Sequence, residues 1–265
     1  MRILVVTQDF PWPPNFGGRI RLDVVVRTLS ELGETDLFSL VPARLEDPYE
    51  VPSDIKINRV KTLKRRKPEH SLRSRLAWTF GGLPLEVSEE RDPHAAALFR
   101  EWAGAYDFVW VSRAATFEVL GRPHLAPTVV DLDDLEDWKI LARIEAIDAD
   151  KRTGGPVSRQ SDREPSTSAL REIASRARKV AARTQGRLNA ERWRRFQRSI
   201  ASEVEQIALA SVIDRARLGA PNTTVVPNGY EVPTRPVGRR DVGDPPTLLF
   251  PGNFCYAPNS DAAQW

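Results

Sequence analysis

The feature that most constrains this chain is its opening forty residues. Arg2 to Thr7 (RILVVT) is a short, β-branched, apolar run followed at once by Gln8 and Asp9. Such a run reads as a strand buried on both faces of a parallel sheet. The loop behind it, QDFPWPPNFGGR, holds three prolines and two glycines, so it is stiff at its front and permissive at its back. Ile20, Val24, Leu29 and Leu32 then recur at helical spacing, and Gly33 stands where a C-cap would end the helix. Leu37 to Val41 supplies a second strand. Strand, loop, helix and strand in this order form a βαβ unit, whose crossover is right-handed.

The alternation continues. Ile55 to Val60 predicts a third strand, the region from His94 to Gly104 a helix, and Asp107 to Ser112 (DFVWVS) a strand. Ala115 to Leu120 reads as a short helix, Thr128 to Leu132 as a strand, and Leu135 to Ala149 as a helix. Lys151 to Ser168 is polar with a single valine, which predicts an insertion. A long helical region follows from Ala169 to Glu203, with a break expected near Gly186. Gln206 to Ala210, Val212 to Leu218 and Thr224 to Val226 read as strand, helix and strand, closed by the turn Pro227-Asn228-Gly229. Repeated βα units predict an α/β, doubly wound, Rossmann-like domain over residues 1–229. Residues 230–246 have the composition of an interdomain linker. Thr247 to Phe250 opens a new strand, so 247–265 reads as the start of a second, truncated domain.

Composition narrows the function classes. Lys and Arg number 39 against 36 Asp and Glu, a net charge of +3, which is not the footprint of a nucleic-acid binder. The single cysteine, Cys255, excludes an intrachain disulfide, and His70, His94 and His124 share no metal-ligand spacing. No run approaches the roughly 18 apolar residues of a membrane span, and the Ile3 to Val6 run is far shorter than a signal-peptide core. The first loop reads P-P-N-F-G-G and lacks G-x-G-x-x-G, which argues against a nicotinamide cofactor. The expected location is cytoplasmic.

Four segments carry a family resemblance: the opening strand with PPNFGGRIR, VVDLDDLEDWK, SVIDRARLGAPNTTVVPNGYEVP, and LLFPGNFCYAPNSDAAQW. In order and spacing they resemble the GT-B glycosyltransferases, specifically the family 4 retaining enzymes (glycosyl transferases group 1) and among them the bacterial exopolysaccharide sugar transferases. The resemblance implies an acceptor-side domain followed by a hinge. The donor-binding domain, with the glutamates and basic residue that hold the nucleotide-sugar, would lie beyond the given residues. It also implies no metal and no cofactor, the nucleoside-diphosphate sugar being a co-substrate.

Several residues are candidates for the chemistry. Gly17 and Gly18 lack Cβ atoms at a helix start, so their amides can approach a diphosphate, with Arg19 and Arg21 adding charge-assisted hydrogen bonds. An ordinary tight strand-to-helix turn is the competing reading. Asp131, Asp133 and Asp134 follow a strand at the edge where α/β sheets bind ligands. Asp131 is the candidate to orient or deprotonate an acceptor hydroxyl, while Asp133 or Asp134 reads as a helix cap. Ser112-Arg113 stands where many relatives have a histidine, and a solvated Arg113 is as good a reading as one turned into the cleft. Asn228 and Gly229 read as a structural hinge turn, and Asp214 with Arg217 as a local pair. Gly252 is implied to begin a donor-side glycine loop.

The resulting expectation is a retaining hexosyltransferase. It would move a hexose from a nucleotide-sugar to a saccharide or lipid-linked acceptor in polysaccharide or glycan biosynthesis, and the 265 residues alone would be inactive. A catalytically inactive acceptor- or membrane-binding module is the alternative. The basic stretch Lys61 to Phe80, with Leu72, Leu76, Trp78 and Phe80, suggests peripheral contact with an anionic membrane at the inner face of the plasma membrane. A solvated helix face with a few core anchors competes with that idea.

Overall fold

A computed structural model describes residues 1–43, 49–65, 78–153 and 169–229, with the side chains of 147–153 and 169–179 left undescribed. The linker 230–246, the second-domain start at 247–265 with Gly252, most of the 151–168 insertion and most of the basic stretch lie outside these residues.

Seven parallel strands form one sheet in the order β3-β2-β1-β4-β5-β6-β7. They are β1 (Arg2–Thr7), β2 (Glu34–Val41), β3 (Arg59–Lys64), β4 (Phe108–Ser112), β5 (Thr128–Asp133), β6 (Gln206–Leu209) and β7 (Thr223–Val225). The helices are α1 (Gly17–Leu32), α2 (Leu85–Glu90), α3 (Pro93–Trp102), α4 (Ala114–Val119), α5 (Glu136–Thr153), α6 (Ala169–Glu203) and α7 (Val212–Leu218). The chain runs outward from β1 to β3, then returns to pair β4 with the other side of β1. The strand order therefore reverses between β1 and β4, the position at which doubly wound sheets open a crevice at their carboxyl edge. The α/β doubly wound expectation is met.

The sheet is buried on both faces by period-two alternation. Leu4, Val6, Phe38, Leu40, Val109, Val111, Val130 and Ile207 face α2, α3, α4 and α6. Ile3, Val5, Leu37, Val41, Trp110 and Ala208 pack on the opposite side, where α1 contributes Val25, Val26 and Leu29. The rings of Phe38 and Phe99 meet edge-on at 5.0 Å, and burying each such side chain stabilises the fold by about 1.5–3 kcal/mol. At the open end, β3 carries exposed Lys61 and Lys64, charges that discourage edge-to-edge pairing.

The helix Leu85–Glu90 and the start of β2 at Glu34 were not expected, and four further details differ from the sequence reading. The buried stripe of α1 is Leu22, Val25, Val26 and Leu29, whereas Ile20, Val24 and Leu32 are exposed; Arg19 and Arg21 turn inward to carboxylates and rotate the helix accordingly. Gly33 ends α1 with extended rather than left-handed backbone (φ −179°). It is small because a Cβ there would lie 2.3 Å from the carbonyl oxygen of Met1. The helix does not break at Gly186, which lets α6 pass close to Ile144 of α5. The third strand begins at Arg59 rather than Ile55, because Ile55 is a buried anchor in the loop before it.

Candidate functional site

The carboxyl edge of the sheet gathers the sequence candidates into two neighbouring places. On the α1 side, Gly17 and Gly18 are the first two residues of the helix, and a Cβ on Gly17 would meet no atom within 4 Å. Phe16 gives no side-chain cap, and the first intrahelical bond runs from the Ile20 amide to the Phe16 carbonyl at 3.0 Å. The amides of Gly17, Gly18 and Arg19 are thus the orphan donors of an uncapped sixteen-residue helix. Arg19 does not extend toward that opening. Its guanidinium bonds both oxygens of Asp9 at 3.1 Å and lies over the Phe16 ring at 5.1 Å.

Arg21 is more tightly held. Its Nε and Nη2 donate to the two oxygens of Asp131 at 2.8 Å each, and its Nη1 donates to the Val226 carbonyl at 2.8 Å and to Asn228 Oδ1 at 2.9 Å. The arginine is 6% exposed and the aspartate 1%. Burial works against the Arg21 charge, but the Asp131 hydrogen bond and three nearby carboxylates hold its proton more firmly than usual. Asp131 is therefore occupied, with both oxygens engaged by one cation and one of them also accepting from the Asp133 amide at 3.0 Å. This clasp ties α1, β5 and the Asn228 turn together, and it gives Asn228 a partner from the far end of the domain.

Beyond Asp131 the backbone of β5 breaks register, with Asp131 opposite Ala208 and Asp133 opposite Leu209, so Leu132 is the extra residue of a bulge. Bulges of this kind re-aim side chains beside functional sites. Asp133 has φ 63° and Arg113, on the neighbouring strand end, φ 74°; non-glycine residues held in this region carry strain that the surroundings must hold. The two are joined by an ion pair at 2.8 Å. Burial raises the proton affinity of Asp133, opposed by Arg113 and Arg21 and reinforced by Asp134 and Asp131. Arg113 is neither a free loop arginine nor a free cleft cation. It also bonds the Leu132 carbonyl and Glu136, each at 3.3 Å. Neither Asp133 nor Asp134 caps α5: the Glu136 amide is taken by Gln197 of α6 at 2.9 Å, while Asp134 pairs with Lys139.

On the other side of this row lies a cavity of about 310 Å³, lined by Gln8, Arg65, Glu86, Glu90, Arg113, Ala114, Ala115, Leu132, Asp134, Glu136, Trp193 and Gln197. Its wall is organised by α6. Asn189, Trp193 and Gln197 recur every four residues and so share one helix face. Asn189 accepts from the Leu85 amide at 2.8 Å and donates to Glu86, the Trp193 indole donates to Glu86 at 2.9 Å, and Gln197 reaches Asp137 at 3.0 Å. One helix therefore caps both α2 and α5 and fixes the cavity between them. Arg65, just past β3, pairs with Glu90 at 3.1 Å. Burial raises the proton affinity of Glu90; Arg65 counters it, and Glu86 and Glu89 add to it.

Of the remaining expectations, Asp214 and Arg217 do face each other at 3.5 Å, and Arg217 also stacks on Trp138 at 3.6 Å. Trp78, counted toward an apolar membrane edge, is instead buried under Arg192, which also donates to the Trp78 and Thr79 carbonyls. Phe80 is 88% exposed. Glu86, Glu90, Arg65, Trp193 and Gln197 were missed by the sequence reading. The four-residue spacings of Glu86 with Glu90 and of Asn189, Trp193 and Gln197 were the signals that could have found part of the set.

No protein-family model matches the chain, and no curated protein matches it. Among solved structures it is similar to Phytolacca americana UGT2 complexed with UDP-2fluoro-glucose and pterostilbene, at 12% identity and a TM-score of 0.37. That match covers 89% of this chain and 55% of the other, so the chain spans about half the length of that protein.

Proposed function

We propose that this chain is the acceptor-side part of a nucleotide-sugar-dependent, retaining glycosyltransferase of the GT-B family 4 type, acting in polysaccharide or glycan biosynthesis. The observation that carries the reading is a juxtaposition. An uncapped, glycine-led helix start and a polar cavity stand on either side of the Arg21–Asp131 and Arg113–Asp133 pairs, at the carboxyl edge beside the point where the strand order reverses.

In this reading the amides of Gly17 and Gly18 stabilise the negative charge that grows on the departing nucleoside diphosphate. Arg19 and Arg21 contribute by stiffening that helix start from within their pairs with Asp9 and Asp131. Asp131 positions the edge, and the acceptor occupies the cavity. No metal is called for: amide dipoles and cationic side chains carry the charge. The donor base and hexose are selected by residues beyond 229, Gly252 among them, and a lipid-linked acceptor would be met at the membrane through the 61–80 stretch.

The test is titration of the 265-residue protein with UDP, GDP and ADP and with their hexose conjugates, followed by transfer assays. We expect diphosphate binding that weakens about tenfold in Gly17→Asp, since a carboxylate at the first helical position repels an anion there. We also expect no turnover until the chain continues into a donor domain. Nucleotide binding indifferent to Gly17→Asp would refute the diphosphate role, and transfer by the 265 residues alone would refute the division of labour.

A further inference from the structure

The cavity beside Arg113 has a size and a charge that select among acceptors. At about 310 Å³ it is at the small end of ligand pockets, room for one sugar ring. Four carboxylates line it, Glu86, Glu90, Asp134 and Glu136, against two guanidiniums, Arg65 and Arg113. Both cations are already committed: Arg65 to Glu90 at 3.1 Å, Arg113 to Asp133 and Glu136 at 2.8 and 3.3 Å. Lys139 is shared by Asp134 and Glu136 at 3.1 Å each, and Glu86 is held by Asn189 and Trp193 rather than by a cation among the described residues. A phosphate entering here would therefore meet an excess of carboxylates over cations and no free cation of the lining. Gln8, at the end of β1, has no side-chain hydrogen bond among the described residues and offers both a donor and an acceptor to a hydroxyl.

We propose that this cavity is the subsite for a single uncharged, hydroxyl-bearing ring, and that its carboxylates exclude phosphorylated sugars. Glu90 accepts a hydrogen bond from a ring hydroxyl while Arg65 holds it in place, and Gln8 fixes a second hydroxyl. The proposal rests on the transferase reading for its biological sense, but it concerns binding alone and is tested without any nucleotide.

The experiment is saturation-transfer NMR and calorimetry on the purified 265-residue protein. The probes are the methyl α-glycosides of glucose, galactose and mannose, and the 6-phosphates of the same three hexoses. At least one methyl glycoside should bind about tenfold more tightly than its 6-phosphate, the scale on which an unmatched charge discriminates. Gln8→Ala should weaken glycoside binding about fivefold, the loss of one neutral hydrogen bond. Glu90→Gln frees Arg65 and should reduce the preference over phosphate to about threefold or less. Asp134 is 45% exposed and pairs with Lys139, so Asp134→Asn reduces the same preference without touching the core, should Glu90→Gln unfold the protein. Equal or tighter binding of the phosphates overturns the proposal, as does a preference unmoved by both carboxylate variants, or no glycoside binding at millimolar concentration. A glycoside preference that survives while no nucleoside diphosphate binds sinks the transferase reading and leaves this subsite standing.

Discussion

Replacing Arg21 by methionine should be among the most damaging single changes in the domain. The substitution keeps an unbranched stem and removes a guanidinium that makes four hydrogen bonds across three segments. Asp131, 1% exposed, is left as a buried charge without its cation, and breaking a buried pair this way costs about 3–5 kcal/mol. The Val226 carbonyl and Asn228 lose a donor as well, adding about 1 kcal/mol each. The sum, about 5–7 kcal/mol, rivals the total stability of a typical domain, about 5–15 kcal/mol. Asp131→Asn keeps the contacts to Val226 and Asn228 and should cost less, about 3–5 kcal/mol. The double change Arg21→Met with Asp131→Asn leaves neither charge buried without its partner, so it should be milder than the sum of the two single variants, by about 3 kcal/mol. Urea unfolding followed by circular dichroism measures all three, with midpoints moving by about 1–3 M given a slope of about 2–3 kcal/mol/M. Single variants costing under about 1 kcal/mol, or a double variant equal to the sum, would refute the argument that this pair fastens α1 to β5 and the Asn228 turn.

Two glycines should answer the same substitution in opposite ways. Gly33→Ala drives a Cβ to 2.3 Å from the Met1 carbonyl oxygen, a backbone atom that also accepts from the Glu34 amide at 2.9 Å; thermal unfolding should show a loss of about 1–3 kcal/mol. Gly186→Ala meets only the Ile144 Cδ1 methyl at 2.9 Å, the movable end of a side chain, and gains about 1 kcal/mol of helix propensity, so it should be neutral or mildly stabilising. Asp36 gives the acid response. Burial disfavours its charge, but hydrogen bonds from Arg59, Asn58 and Tyr106 hold its carboxyl below the usual carboxylate range. The unfolded chain then takes up the proton first, so this stabilisation is complete above the ordinary aspartate range and is lost as pH falls through it toward the depressed value. The Tm difference between wild type and Asp36→Asn should shrink as the pH is lowered; a constant difference would contradict it.

Where the sequence reading succeeded, local chemistry and tertiary demand agreed. RILVVT is a central strand because every side chain after Arg2 is buried, and α7 spans Val212–Leu218 as read because Ser211 caps it and Gly219 leaves it in left-handed backbone. Where it failed, a long-range partner decided the matter. Nothing within α1 reveals that Arg21 turns inward, because the residue it meets lies 110 positions away. The helical stripe was misplaced for the same reason: two arginines expected to reach a diphosphate are instead buried against Asp9 and Asp131. The cavity was invisible because its walls come from the ends of β1, β3, β4 and β5 and from α2, α4, α5 and α6, and only α2 and α6 write their contributions at a regular spacing.

The two edges of the sheet hold their charges differently. At the amino edge, Asp36 is satisfied by Arg59, Asn58 and Tyr106, and Arg59 is covered in turn by Trp102 at 4.6 Å. Charge there is matched locally and its carboxyl gives up its proton readily, as expected of a fastening. At the carboxyl edge the balance is different. Asp133 and Glu90 hold their protons more firmly than usual despite facing arginines, because burial and neighbouring carboxylates outweigh those partners. Backbone strain at Arg113 and Asp133, a bulge in β5 and a cavity occur within the same few residues. The carboxylates here are paired too, Asp133 with Arg113 and Glu90 with Arg65, yet burial leaves them less well compensated than Asp36 is at the amino edge. Under the proposed subsite, acids held short of full compensation would gain a hydrogen bond from a hydroxyl arriving between them.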